Sequence, residues 1–239
     1  MTTTPGFGSG SSSFYRRPGV ALAVAAISLA GSAVLTLTGP QVRGPVGEWP
    51  AWLGIAVDYL VTLGPLLAGA LVAARLGGPA LARALGIRFA PIDLLLGALV
   101  AIIVRAVVEV MTPTTGSLIP PFADADADRL AGTALAVIAA VLFAPVVEEV
   151  FFRGALQRAL QALVGPGGVG ATLAIAVSTA GFTLMHALPY GATVPVAALL
   201  PPILIGVGAG VLTVVTGRIS AGLVTHVLFN LTGVVLLLV

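Results

Sequence analysis

Two adjacent carboxylates, Glu148 and Glu149, stand inside an apolar stretch, with Arg153 four residues beyond the second. Glu149 and Arg153 share one helical face at that spacing and can neutralise each other. Glu148 is turned roughly 100° away, so it is the carboxylate left to explain. An ionisable group in hydrocarbon is costly, and it marks a partner or a function. The chain has only 2 histidines, and both fall in apolar stretches: His186 four residues after Phe182, and His226 four residues before Asn230. Convergence of these groups would give one carboxylate, two imidazoles and one carboxamide around a single cavity. Such a set suits hydrolysis, because a carboxylate can take a proton from water while neutral donors stabilise the tetrahedral oxyanion. The sequence has no serine-centred nucleophile motif and no HExxH, so serine and zincin mechanisms fit poorly. Zinc ligation by Glu148, His186 and His226 stays open, since two imidazoles and a carboxylate are an adequate set.

The elements that hold these residues must be membrane helices. The chain is 58% hydrophobic and 8% charged, with a mean hydropathy of +1.12, against about 25% charged in soluble domains. This composition predicts an all-α, polytopic integral membrane protein with almost no soluble part. All 11 basic residues are arginine and they are scattered, which gives no case for a nucleic-acid partner. There is no cysteine, which excludes disulfides, thiolate chemistry and Cys-ligated metals.

Residues 1–17 open on Thr, Pro, Gly and Ser and read as a disordered cytoplasmic tail, followed by one transmembrane domain over 18–239. Apolar runs near the ~20 residues a bilayer requires predict spans over 18–37, 52–74, 92–111, 129–164, 169–188, 194–216 and 219–239. An eighth could lie within 75–91, giving seven to eight in all. Arg16, Arg17, Arg75, Arg83, Arg88 and Arg218 fall in connections that the positive-inside rule assigns to the cytoplasm, with the amino terminus inside and the carboxyl terminus outside. Arg105 and Glu109, at i, i+4, read as a structural bridge. Pro145 should bend the fourth span one turn before Glu148. The end of that span, carrying Arg153, Gln157 and Arg158, should emerge as an amphipathic stretch at the interface. Gly206, Gly208 and Gly210 allow close helix approach. Counted at 1.5 Å per residue, Glu148 and His186 lie at about 25 and 27 Å from the Gly165 turn, whereas His226 lies only about 12 Å past Arg218. His226 therefore meets the others only if the amphipathic end of the fourth helix projects from the membrane, or if Arg218 snorkels.

The three motifs Glu148-Glu149-Val150-Phe151-Phe152-Arg153, Phe182-Thr183-Leu184-Met185-His186 and His226-Val227-Leu228-Phe229-Asn230 resemble the CPBP intramembrane proteases, also called the CAAX protease and bacteriocin-processing or Abi family. That family carries EExxxR, FxxxH and HxxxN in this order on separate helices, and Gly154 and Leu156 continue the first motif as in the family. The resemblance covers about 134–239 and implies a CAAX-protease-like helical bundle. It implies that Glu148 activates water with help from His186, that His226 and Asn230 form the oxyanion site, and that Glu149 and Arg153 are the supporting ion pair. Phe182 would serve packing. Family members are often labelled metalloproteases, but the glutamate mechanism needs no metal, and no cofactor is the reading favoured here. Relatives cleave prenylated CAAX proteins, so the implied partner is a membrane-associated or lipid-modified protein or peptide, met in a bacterial cytoplasmic membrane. Competing readings are histidines and asparagine serving only as glue between helices, a membrane immunity or scaffold protein whose activity is dispensable, and a proton-coupled transporter. The last lacks the internal repeats such a protein would show.

Overall fold

The computed structural model describes residues 14–42, 49–116, 126–165 and 167–238, and among them all regular structure is helical. In chain order the helices are α1 (Pro18–Val42), α2 (Ala51–Gly77), α3 (Leu81–Leu85), α4 (Ile92–Met111), α5 (Ala127–Val164), α6 (Gly168–Ala187), α7 (Val196–Thr216) and α8 (Ser220–Leu236). Six of them, α1, α2, α4, α5, α6 and α7, are long and apolar enough to cross a bilayer. The shorter apolar α8, of 17 residues, sits at the lower limit for a span, about 17 residues. The chain is thus a polytopic helical membrane protein. The 75–91 region contains only the five-residue α3, about 7.5 Å long, and holds no eighth span.

Helices α1 and α2 pair, as do α4 with α8 and α6 with α7, and α5 threads between them. From Phe151 to Ala159 every residue of α5 is buried, so this stretch is enclosed on all sides. That corrects the expected amphipathic end. Arg153, Gln157 and Arg158 are buried with partners: Glu149 for Arg153, the Gly210 carbonyl for Gln157, and the Ala84, Arg83 and Gly217 carbonyls for Arg158. Polar residues at helical spacing thus face the protein interior, where partners on neighbouring helices make up for lost water.

Pro145 acts through hydrogen-bond register. Residues Ala139–Phe143 form a π-turn, in which the Ala144 N–H donates to Ala139 O, five residues back. Pro145 has no N–H to offer. The Ala140 carbonyl therefore loses both its i+4 and its i+5 backbone donors, and Asn230 Nδ2 on α8 donates to it instead, at 2.8 Å. A second π-helical stretch, Glu149–Gln157, follows after the short α-helical stretch Ala144–Glu148. Such widened turns are rare and recur at functional sites.

The glycines of α7 divide between two neighbours. A Cβ at Gly206 would lie 2.6 Å from Thr179 Cγ2, and one at Gly210 would lie 3.0 Å from Ile175 Cγ2, both on α6, whereas Gly208 faces Val100 on α4 at 2.8 Å. Gly206→Leu is expected to overpack the α6–α7 contact and cost about 1–3 kcal/mol, read as a lowered thermal midpoint in detergent. The Arg105–Glu109 bridge is present at 2.9 Å. Arg105 also donates to Thr232 Oγ1 and the Phe229 carbonyl, tying α4 to α8.

The expected tail falls largely outside the described residues, as do Val239 and the connection over 117–125. Within 14–17, Tyr15 is fully buried and donates to the Gly154 carbonyl at 3.2 Å, and the Arg17 N–H donates to Gly77 O.

Candidate active site

Glu148, His186, His226 and Asn230 come from α5, α6 and α8, and all four line one cavity of about 260 Å³. Tyr59 on α2, Pro201, Pro202 and Ile205 on α7, and Phe229 on α8 complete much of its wall. Helix α5 continues past the level of the α7–α8 turn, since Arg158 donates to Gly217 O at 3.0 Å and the helix runs on to Val164. From that shared level Glu148 lies ~15 Å back along α5 and His226 ~13.5 Å along α8.

His226 stands between the two glutamates. Its Nε2 is 3.6 Å from Glu148 Oε2, and its Nδ1 is 3.2 Å from Glu149 Oε1. Donation from Nδ1–H to the Glu149 carboxylate turns Nε2 toward Glu148, the usual way a carboxylate fixes an imidazole's orientation. Glu149 also carries the expected ion pair, with Arg153 Nη1 3.3 Å from its Oε1 and both side chains fully buried. Glu148 keeps some access, with its side chain 13% exposed. The two carboxylates therefore differ: one is enclosed and doubly engaged, and the other faces the cavity.

His186 donates from Nδ1 to the carbonyl of Phe182, one turn back, at 2.9 Å, which leaves Nε2 as its second polar atom. Phe182, fully buried, meets the rings of His186, His226 and Phe152 edge-on, with centroids 4.5, 5.5 and 5.2 Å away. The Arg153 guanidinium lies over the same ring, 4.6 Å from its centroid. Phe182 thus packs both imidazoles into place. Asn230 spends one N–H on Ala140 O, and its second N–H is still available.

The sequence reading assigned Glu149 to Arg153 alone, and the contact to His226 lies beyond it. An i, i+4 rule sees pairs within one helix, and this pair spans 77 residues. Tyr59 was also missed as a cavity residue. The sole signal for it was a polar aromatic inside an apolar run, which equally fits an interfacial anchor.

The metal option can be tested on the donors themselves. Among the described residues no three His, Asp or Glu side chains are grouped to hold a metal ion. His226 turns Nδ1 to Glu149 and Nε2 to Glu148 at 3.6 Å, and His186 does not join them in a three-donor group.

Residues 130–232 match the family model of type II CAAX prenyl endopeptidase Rce1-like proteins. This region belongs to the CAAX protease family. The match takes in Glu148, Glu149, Arg153, Phe182, His186, His226 and Asn230. No curated protein and no solved structure matches the chain at a significant level. The match spans less than half of the chain, and the whole is a polytopic helical membrane protein whose residues 130–232 are similar to this endopeptidase family.

Proposed function

We propose that this chain hydrolyses peptide bonds of a membrane-associated or lipid-modified protein or peptide, with Glu148 as the base that activates water. What supports this most is the convergence of Glu148, His186, His226 and Asn230 from three helices on a single cavity. In this reading the water oxygen adds to the scissile carbonyl carbon while its proton passes to Glu148. The C–N bond then breaks as that proton is delivered to the leaving nitrogen, giving a carboxylic acid and an amine, which ionise as the acid's proton passes to the amine. His186 Nε2 holds the water. The free N–H of Asn230 and Nε2 of His226 stabilise the oxyanion.

The Glu149 contact refines the role of His226. With Nδ1–H donated to Glu149, Nε2 carries a hydrogen only in the imidazolium form, so the oxyanion role calls for that form, and Glu149 supplies its counter-charge. Two adjacent glutamates then do different work: Glu148 on the water and Glu149 on the imidazole.

The test is incubation of the purified protein with membrane peptides, reading new termini by mass spectrometry. Cleavage is expected to survive exhaustive treatment with a metal chelator. Activity lost with chelator and restored by zinc would refute the metal-free mechanism. We place the arginine-rich end of the bundle in the cytoplasm of a bacterial inner membrane, so a reporter fused after Val239 should read as external, and a cytoplasmic signal there would reverse the orientation.

A further inference from the structure

A second cavity, of about 340 Å³, opens at the arginine-rich end and is lined by Phe14, Arg83, Gly86, Arg88, Arg158 and Gly217. It lies ~15 Å along α5 from Glu148, apart from the candidate active site. Its lining includes three arginines and no acidic residue. Arg158 is buried and fixed: Nε donates to Ala84 O at 2.9 Å, Nη1 to Gly217 O at 3.0 Å and Nη2 to Arg83 O at 3.1 Å, while its guanidinium stacks on Phe14 at 3.7 Å. A guanidinium has five N–H donors, so one remains on each terminal nitrogen. Gly86, at φ 69°, makes room for this group, since a Cβ there would come 2.8 Å from Arg158 Nη1.

Arg83 and Arg88 are exposed and have no acidic partner among the described residues. Arg16, Arg17, Arg75 and Arg218 lie at the same end of the bundle, where the one described acid, Asp93, is engaged by Arg218 at 2.6 and 2.9 Å. Three cations around one hollow repel each other, and an anion among them turns that repulsion into attraction. Guanidinium groups match the oxygens of phosphate in geometry as well as charge.

We propose that this cavity binds a phosphate group, either in the headgroup of an anionic phospholipid or as free phosphate. Leu81, Ile87 and Phe89 are exposed on the same segment and offer an apolar surface to acyl chains. Basic pockets at a membrane surface select acidic headgroups in this way.

The experiment uses the full chain purified in a neutral detergent and measures its affinity for three probes: phosphatidylglycerol, phosphatidylcholine and inorganic phosphate. Each is measured on the parent, on Arg83→Gln/Arg88→Gln, and on Arg129→Gln as a control at the opposite end. Phosphatidylglycerol is expected to bind the parent more tightly than phosphatidylcholine. The double variant should lose about fivefold per guanidinium, roughly thirtyfold together, and the control should match the parent. If inorganic phosphate binds the parent as well as phosphatidylglycerol does and shows the same loss, free phosphate is the source. Phosphatidylglycerol binding that is unchanged in the double variant would overturn the assignment, and so would a parent that binds neither anionic probe. Because no turnover is read, the result stands apart from the proteolytic reading.

Discussion

Glu148→Gln is expected to lower cleavage of a membrane peptide by about 10²–10⁴-fold, while the purified protein elutes and melts as the parent does. The amide fills the volume of the carboxylate but cannot take a proton from water. The fold should tolerate the change, because Glu148 takes no part in the fully buried Glu149–Arg153 pair. Its own ionic contact, to His226 Nε2 at 3.6 Å, is longer than a hydrogen bond. Steady-state cleavage and thermal unfolding, measured on one preparation, check both halves. Parent-like cleavage by the variant would remove Glu148 from the chemistry. Loss of the fold would mean that its charge holds the bundle together.

Arg153→Met should have the larger effect on stability. Glu149 and Arg153 are both 0% exposed, so removing the cation leaves a buried carboxylate with one imidazole for company. Breaking such a pair from one side costs about 3–5 kcal/mol, readable as a large fall in the thermal midpoint. Removing both charges, in Glu149→Gln/Arg153→Met, should recover most of that loss. The double variant still lacks the carboxylate that orients His226, and cleavage should stay down by about 10²–10⁴-fold. Stability and activity would then separate. A double variant that regained both would show that Glu149 serves the fold alone.

Much of this arrangement was legible before the structure. Helices such as Ile92–Met111 follow from apolar run length, because a bilayer demands a fixed number of residues per crossing. Pairs inside one helix, Glu149–Arg153 and Arg105–Glu109, follow from the 3.6-residue period. The buried state of Arg153, Gln157 and Arg158 was not legible. Beyond the Glu149–Arg153 pair, their partners are carbonyls and rings elsewhere in the chain, and a polar stripe reads the same whether it faces headgroups or an interior lined with acceptors. The bond from Asn230 to Ala140 O was hidden for a related reason. It depends on a π-turn that frees a carbonyl on α5, and Pro145 signals only that the helix is disturbed somewhere nearby. The link from His226 to Glu149 needs the relative rotation of α5 and α8, which no spacing within either helix encodes.

The central claim is that one water, activated by Glu148, ends up in the product. Cleavage of a membrane peptide by the purified protein in water enriched with heavy oxygen, analysed by mass spectrometry, reads that event at the bond itself. The account predicts new carboxyl termini that carry the heavy isotope with the parent protein and are nearly absent with Glu148→Gln. No labelled termini from the parent, or equal amounts from both proteins, would contradict it.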